Sequence, residues 1–120
     1  MIEIFDVAGY TRISVDDELD QKNISIEDQK AIIQDFVKHE FLGSTLTFYE
    51  DRDRSGYIFE QREGYQAMRR GLMSHQYDIL IVKDFYRFSR RKSRSLVELE
   101  DLRDAGVRIV SIGDNIDFHR

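Results

Sequence analysis

Asp78-Ile79-Leu80-Ile81-Val82-Lys83 is a run of four consecutive aliphatic residues bounded by charges. Such a run, too short for a helix and without polar alternation, is the pattern of a strand covered on both faces, as in a parallel sheet. Working outward, Val107–Ile112 repeats the pattern as a final strand. Between the two, Ser95-Leu96-Val97-Glu98 has the form of a capping box opening a helix that runs to Ala105, with Gly106 at its C-terminal stop. Towards the N-terminus, Glu63–Ser74 reads as a helix and Thr45–Tyr49 as a strand, separated by a long polar loop from Glu50 to Arg62 with a turn at Ser55-Gly56.

Ser25-Ile26-Glu27-Asp28 resembles a capping box with Asp in place of Glu. It predicts a helix over about Ile26–Glu40, whose Ile26, Ile32, Ile33, Phe36 and Val37 keep helical spacing and whose stop is Gly43. Ile4–Ile13 is rich in strand formers and ends at Ser14, after which Val15–Asn23 is a polar loop. The order β-α-β-α-β-α-β predicts an α/β three-layer sandwich around a mostly parallel sheet of about four or five strands. In such a sheet, sites form at the carboxyl ends of the strands. Ser14, Asp51 and the stretch Asp84–Arg90 all fall at that edge.

A length of 120 residues fits a single domain, with no internal repeat or linker. Without cysteine, the chain has neither a disulfide framework nor a thiolate metal site, and His39, His75 and His119 are too scattered to form a ligand motif. The N-terminus lacks a signal peptide and no segment reads as a membrane span, so a cytoplasmic protein is expected. Net charge is −5, yet Lys83–Arg94 holds six basic residues and one acid, leaving 12 basic against 22 acidic residues elsewhere. One basic spot on an acidic body suits a local phosphate site. There is no glycine-rich phosphate loop, no GxGxxG and no HExxH.

Arg12 and Ser14, two apart in an extended segment, belong on one face, with a guanidinium beside a hydroxyl. Such a pair suits phosphoryl transfer, because a hydroxyl is a weak nucleophile unless its proton loss and the charge on the phosphorane oxygens are stabilised, and Arg can serve the second need. Taken alone, Ser14 reads more readily as an ordinary polar residue closing a strand. Gln29 lies on the apolar face of the first helix; its amide either reaches Arg12 and Ser14 or satisfies backbone groups in the core. Arg87 and Arg90, three apart, can clamp one phosphate if their segment is helical, and Arg62 enters from the long loop. Two other readings fit fewer residues. One is a magnesium-dependent phosphotransfer or nuclease domain using Glu50, Asp51 and Asp53, and the other a receiver-like module with Asp51 as phosphoacceptor.

These residues carry a family resemblance. Tyr10-Thr11-Arg12-Ile13-Ser14 resembles the Tyr-x-Arg-x-Ser nucleophile motif of the resolvase/invertase, or serine recombinase, family. In order along the chain, Ser25–Gln29 is similar to the family segment ending in an active-site Gln. Asp51 with Ser55-Gly56 resembles its Asp-then-Ser-Gly loop, Arg62-Glu63-Gly64 its Arg-x-Gly element, and Lys83–Arg90 its Asp-Arg-x-x-Arg signature. One departure is Tyr86, which stands where the signature has its acid; the nearest acid is Asp84. The acidic insertion after Ser14 resembles the large serine recombinases of the transposon and phage integrase type.

The resemblance implies a resolvase-like fold and a site-specific recombinase that cleaves and rejoins double-stranded DNA through a covalent 5′-phosphoserine. It assigns Ser14 as nucleophile, with Arg12, Arg87 and Arg90 offsetting the phosphorane charge. Arg62 and Gln29 position the phosphate, and Asp51 orients the arginines or takes part in proton transfer. It implies no cofactor and no metal, no small-molecule substrate, and a homodimer or tetramer. It also implies that a dimerisation helix and DNA-binding domains follow residue 120.

Overall fold

The computed structural model describes residues 3–14, 25–53, 62–85 and 92–118, with the side chains of Ser14, Asp53 and residues 92–95 outside that description. Strand β1 spans Asp6–Ser14, helix α1 Ile26–Glu40, β2 Thr45–Asp53, α2 Glu63–Met73 and β3 Ile79–Val82. Helix α3 spans Lys92–Asp104, β4 Arg108–Ser111 and β5 Ile116–Phe118. The strands form one sheet in the order β2-β1-β3-β4-β5. All neighbours are parallel except β5, which runs antiparallel to β4. This is the mostly parallel α/β sandwich expected from the sequence.

Alternation along the strands sorts the core into two layers. Val7, Ile79, Ile81 and Val110 meet Ile33, Val37 and Phe41 of α1 and its C-terminal turn. On the other face Ala8, Tyr10, Leu80, Val82 and Ile109 meet Tyr65, Met68 and Leu72 of α2 and Leu99 and Leu102 of α3. The four residues of β3 are thus buried on both faces, each apolar side chain contributing about 1.5–3 kcal/mol. The Ser25 hydroxyl accepts from the Asp28 N–H at 3.1 Å and caps α1, as the sequence predicts.

Three boundaries differ from expectation. Strand β2 continues through Glu50–Asp53, which the polarity of those residues marks as loop. Backbone pairing with β1 holds them in the sheet, in the register Thr11↔Glu50, Arg12↔Asp51 and Ser14↔Asp53. Ser95 is not the cap of its helix, since α3 begins at Lys92. Glu98, the other half of that supposed capping box, turns to α2 instead. Finally, β5 is a three-residue edge strand that follows a turn in which Asn115 adopts a left-handed φ of 54°. It is too short and polar to announce itself by pattern. Among the described residues, no helix is long and apolar enough to cross a membrane.

Candidate active site

The pairing of β1 with β3 stops at Tyr10↔Val82, whereas its pairing with β2 continues to Ser14↔Asp53. Thr11–Ser14 therefore project beyond β3, and the Arg12 backbone lacks a neighbour on that side. Gln29 supplies one. The Arg12 N–H donates to Gln29 Oε1 at 3.2 Å, and Gln29 Nε2 donates to the Arg12 carbonyl at 2.9 Å. Both residues are buried, with Gln29 0% and Arg12 2% exposed. Gln29 thus reaches Arg12, and does so through that residue's backbone groups. The side-chain amide stands in for an adjacent strand and fixes the path of β1 two residues before Ser14.

Asp51 faces Arg12 across the sheet register and is buried. Its Oδ2 accepts from the Tyr10 hydroxyl at 2.7 Å and from the Tyr65 N–H at 2.8 Å, while Oδ1 accepts from the Gly64 N–H at 2.8 Å. Helix α2 starts after Arg62, whose side chain makes no capping bond. The carboxylate of β2 thus caps α2 across the fold, meeting the free N–H groups and positive end of the helix dipole. Gly64 makes this approach possible. A Cβ there would lie 2.2 Å from the Glu50 carbonyl oxygen and 3.0 Å from Asp51 Oδ1. Arg62, 3% exposed, is carried to the site by this junction.

Behind the junction, the Tyr65 hydroxyl donates to Glu98 Oε1 at 2.5 Å and Arg69 Nε donates to the same oxygen at 2.7 Å, tying α2 to α3. Burial, followed by the charge of Glu98, pushes the Tyr65 phenol far above its ordinary pKa, while the bond to Glu98 raises that of Arg69. At the end of β3, Lys83 Nζ lies 3.0 Å from Asp84 Oδ2. Asp84 is therefore held in an ion pair beside the signature segment.

Arg12, Gln29, Asp51 and Arg62 are brought together around the end of β1. Ser14 closes that strand, its side chain lying outside the described residues; Arg87, Arg90, Tyr86 and Ser55-Gly56 also lie outside them. The contributions of Tyr10, Tyr65 and Glu98 escape sequence reasoning, since only their partners from distant segments reveal them. For Tyr10 the signal was its place in the Tyr-x-Arg-x-Ser motif.

Two guanidiniums, those of Arg12 and Arg62, are thus buried at the carboxyl edge of a parallel sheet, the edge where sites form in such folds. The sequence matches the family described as "Resolvase, N terminal domain" over residues 7–120, and the chain belongs to that family. It is the catalytic domain of a site-specific recombinase of the serine type.

Solved structures agree. The N-terminal catalytic domain of TP901-1 integrase is similar with a TM-score of 0.78 at 23% identity, over 93% of this chain and 80% of that one. A resolvase family site-specific recombinase from Streptococcus pneumoniae gives 0.75 at 27% identity, over 96% and 76%. The C-terminal catalytic domain of ISC1926 TnpA, an IS607-like serine recombinase, gives 0.67 at 20% identity, over 89% and 70%. No curated protein matches the chain.

Proposed function

We propose that Ser14 is the nucleophile of this recombinase and that it attacks a phosphodiester of double-stranded DNA. The Ser14 Oγ–P bond forms as the bond from phosphorus to the 3′ oxygen breaks, leaving a 5′-phosphoserine. The leaving oxygen takes up a proton and becomes a 3′-hydroxyl. Religation is the same step reversed, and the covalent bond conserves the energy it needs. The observation that carries this reading is the double hydrogen bond from buried Gln29 to the backbone of buried Arg12, which holds the end of β1 in place. Positioning of this kind accounts for much of the catalysis when a weak nucleophile meets a charged phosphate.

Arg12, Arg87 and Arg90 offset the phosphorane charge, and Arg62 orients the phosphate from the start of α2. Gln29 acts through Arg12 and Asp51 through α2, so both are positioning residues. The three donors on Asp51 argue against its use as a metal ligand or phosphoacceptor, because each alternative would have to displace them. The enzyme works as a homodimer or tetramer on paired sites, in the cytoplasm, with no metal, cofactor or small-molecule substrate.

The test is incubation of the intact recombinase with a nicked duplex carrying its site, in chelator, followed by a denaturing gel and peptide mass analysis. A protein–DNA adduct at Ser14 that vanishes in Ser14→Ala is expected. Its absence from the wild type, or its persistence in Ser14→Ala, would sink the proposal.

A further inference from the structure

The turn between β4 and β5 is fastened to the segment that leaves β3. Ile112 N–H donates to the Val82 carbonyl at 3.1 Å and Gly113 N–H to the Lys83 carbonyl at 2.6 Å, carrying the β3–β4 pairing two residues past the strands. The third link is a side chain. Asp114 Oδ2 accepts from the Phe85 N–H at 2.8 Å and from the Ser111 hydroxyl at 2.6 Å. Ser111 is fully buried at the end of β4, so it anchors the carboxylate to the sheet itself. Gly113 permits the close approach: a Cβ there would stand 2.9 Å from the Lys83 carbonyl oxygen. The left-handed φ of Asn115 then reverses the chain into β5.

Phe85 stands two residues before Arg87 and five before Arg90. We infer that Asp114 is a positioning residue of the phosphoryl-transfer site, setting where the arginine-bearing segment departs from the sheet. The inference rests on the proposed roles of Arg87 and Arg90. Its chemistry is specific: one oxygen accepts both bonds, so the function needs an acceptor oxygen at that point rather than a negative charge. Asp114 is itself exposed on the turn, but its carboxylate holds the buried Ser111 hydroxyl and the N–H of Phe85, whose ring packs against the layer of α2 and α3, so the melting temperature is measured to separate loss of position from loss of fold.

The test compares Asp114→Ala and Asp114→Asn in the intact recombinase, measuring the rate of adduct formation on the nicked site duplex at saturating enzyme, with DNA affinity and melting temperature alongside. Asp114→Ala is expected to slow adduct formation on the order of 10- to 100-fold while DNA affinity stays within about threefold, since displacement of catalytic groups by an ångström has effects of that size. Asp114→Asn, which can place an amide oxygen where Oδ2 lies, is expected to restore the rate to within about threefold of wild type. A wild-type rate in Asp114→Ala, or an Asn variant as slow as the Ala variant, would overturn the inference. Adduct persisting in Ser14→Ala would instead overturn the proposed chemistry, so the two failures are distinct.

Discussion

Replacing Asp51 probes the junction on which Arg62 depends. The carboxylate receives three hydrogen bonds in a buried setting, two from the first N–H groups of α2 and one from the Tyr10 hydroxyl. Hydrogen bonds to a charged group contribute about 1.5–3 kcal/mol each, and a buried donor left without its acceptor costs a comparable amount. In Asp51→Asn one oxygen can still serve Tyr10 and Tyr65, but the amide NH2 then faces the Gly64 N–H, donor against donor. The expected loss is about 2–3 kcal/mol. Asp51→Ala leaves all three donors without their acceptor and should cost about 4–5 kcal/mol, towards the extreme for a single substitution. Tyr10→Phe removes one bond and should cost about 1.5 kcal/mol, the lower end of that range. In a domain of this size each kcal/mol moves the melting temperature by about 4 °C, so urea and thermal unfolding resolve the series. The order Tyr10→Phe, then Asp51→Asn, then Asp51→Ala is as important as the size. An Asn variant within about 0.5 kcal/mol of wild type would refute the view of Asp51 as the cap of α2, since that is the range of an ordinary surface substitution.

Two further outcomes are expected. Gly64→Ala must push α2 away from the Glu50 carbonyl, costing about 2–3 kcal/mol. Because Arg62 moves with the helix, its adduct formation should fall even at temperatures where the variant is fully folded; an active Gly64→Ala protein of wild-type stability would contradict the tight junction. Tyr49 donates to or accepts from Tyr77 at 2.6 Å, and that bond, with burial, pushes its phenol up to about 12. The unfolded chain releases this proton near pH 10, so the contribution is complete below pH 10 and is lost as pH rises from there through about 12. Urea midpoints measured over that range should fall less steeply in Tyr49→Phe than in wild type, and identical slopes would count against the pair.

Sequence by itself determined the layered architecture. The aliphatic run of β3, the helical spacing of α1 with its Ser25 cap, and the glycines Gly43 and Gly106 at positive φ are local signals, because burial periodicity and backbone chirality are decided within a few residues. It also marked Arg12, Gln29, Asp51 and Arg62, through the ordered motifs of a family, without showing what any of them touches. Only tertiary structure decided that. Gln29 clamps the Arg12 backbone because β3 ends at Val82 and leaves a gap, and Asp51 caps α2 because the β1–β2 register sets it opposite Arg12, where the helix begins. Glu98 shows the converse: its local pattern suited a capping box, but Tyr65 and Arg69 on a neighbouring helix provide stronger, partly buried partners. Polar groups at the end of a sheet are satisfied by whatever the fold brings within three ångströms, and separations of 13 to 41 residues along the chain carry no local trace of that pairing.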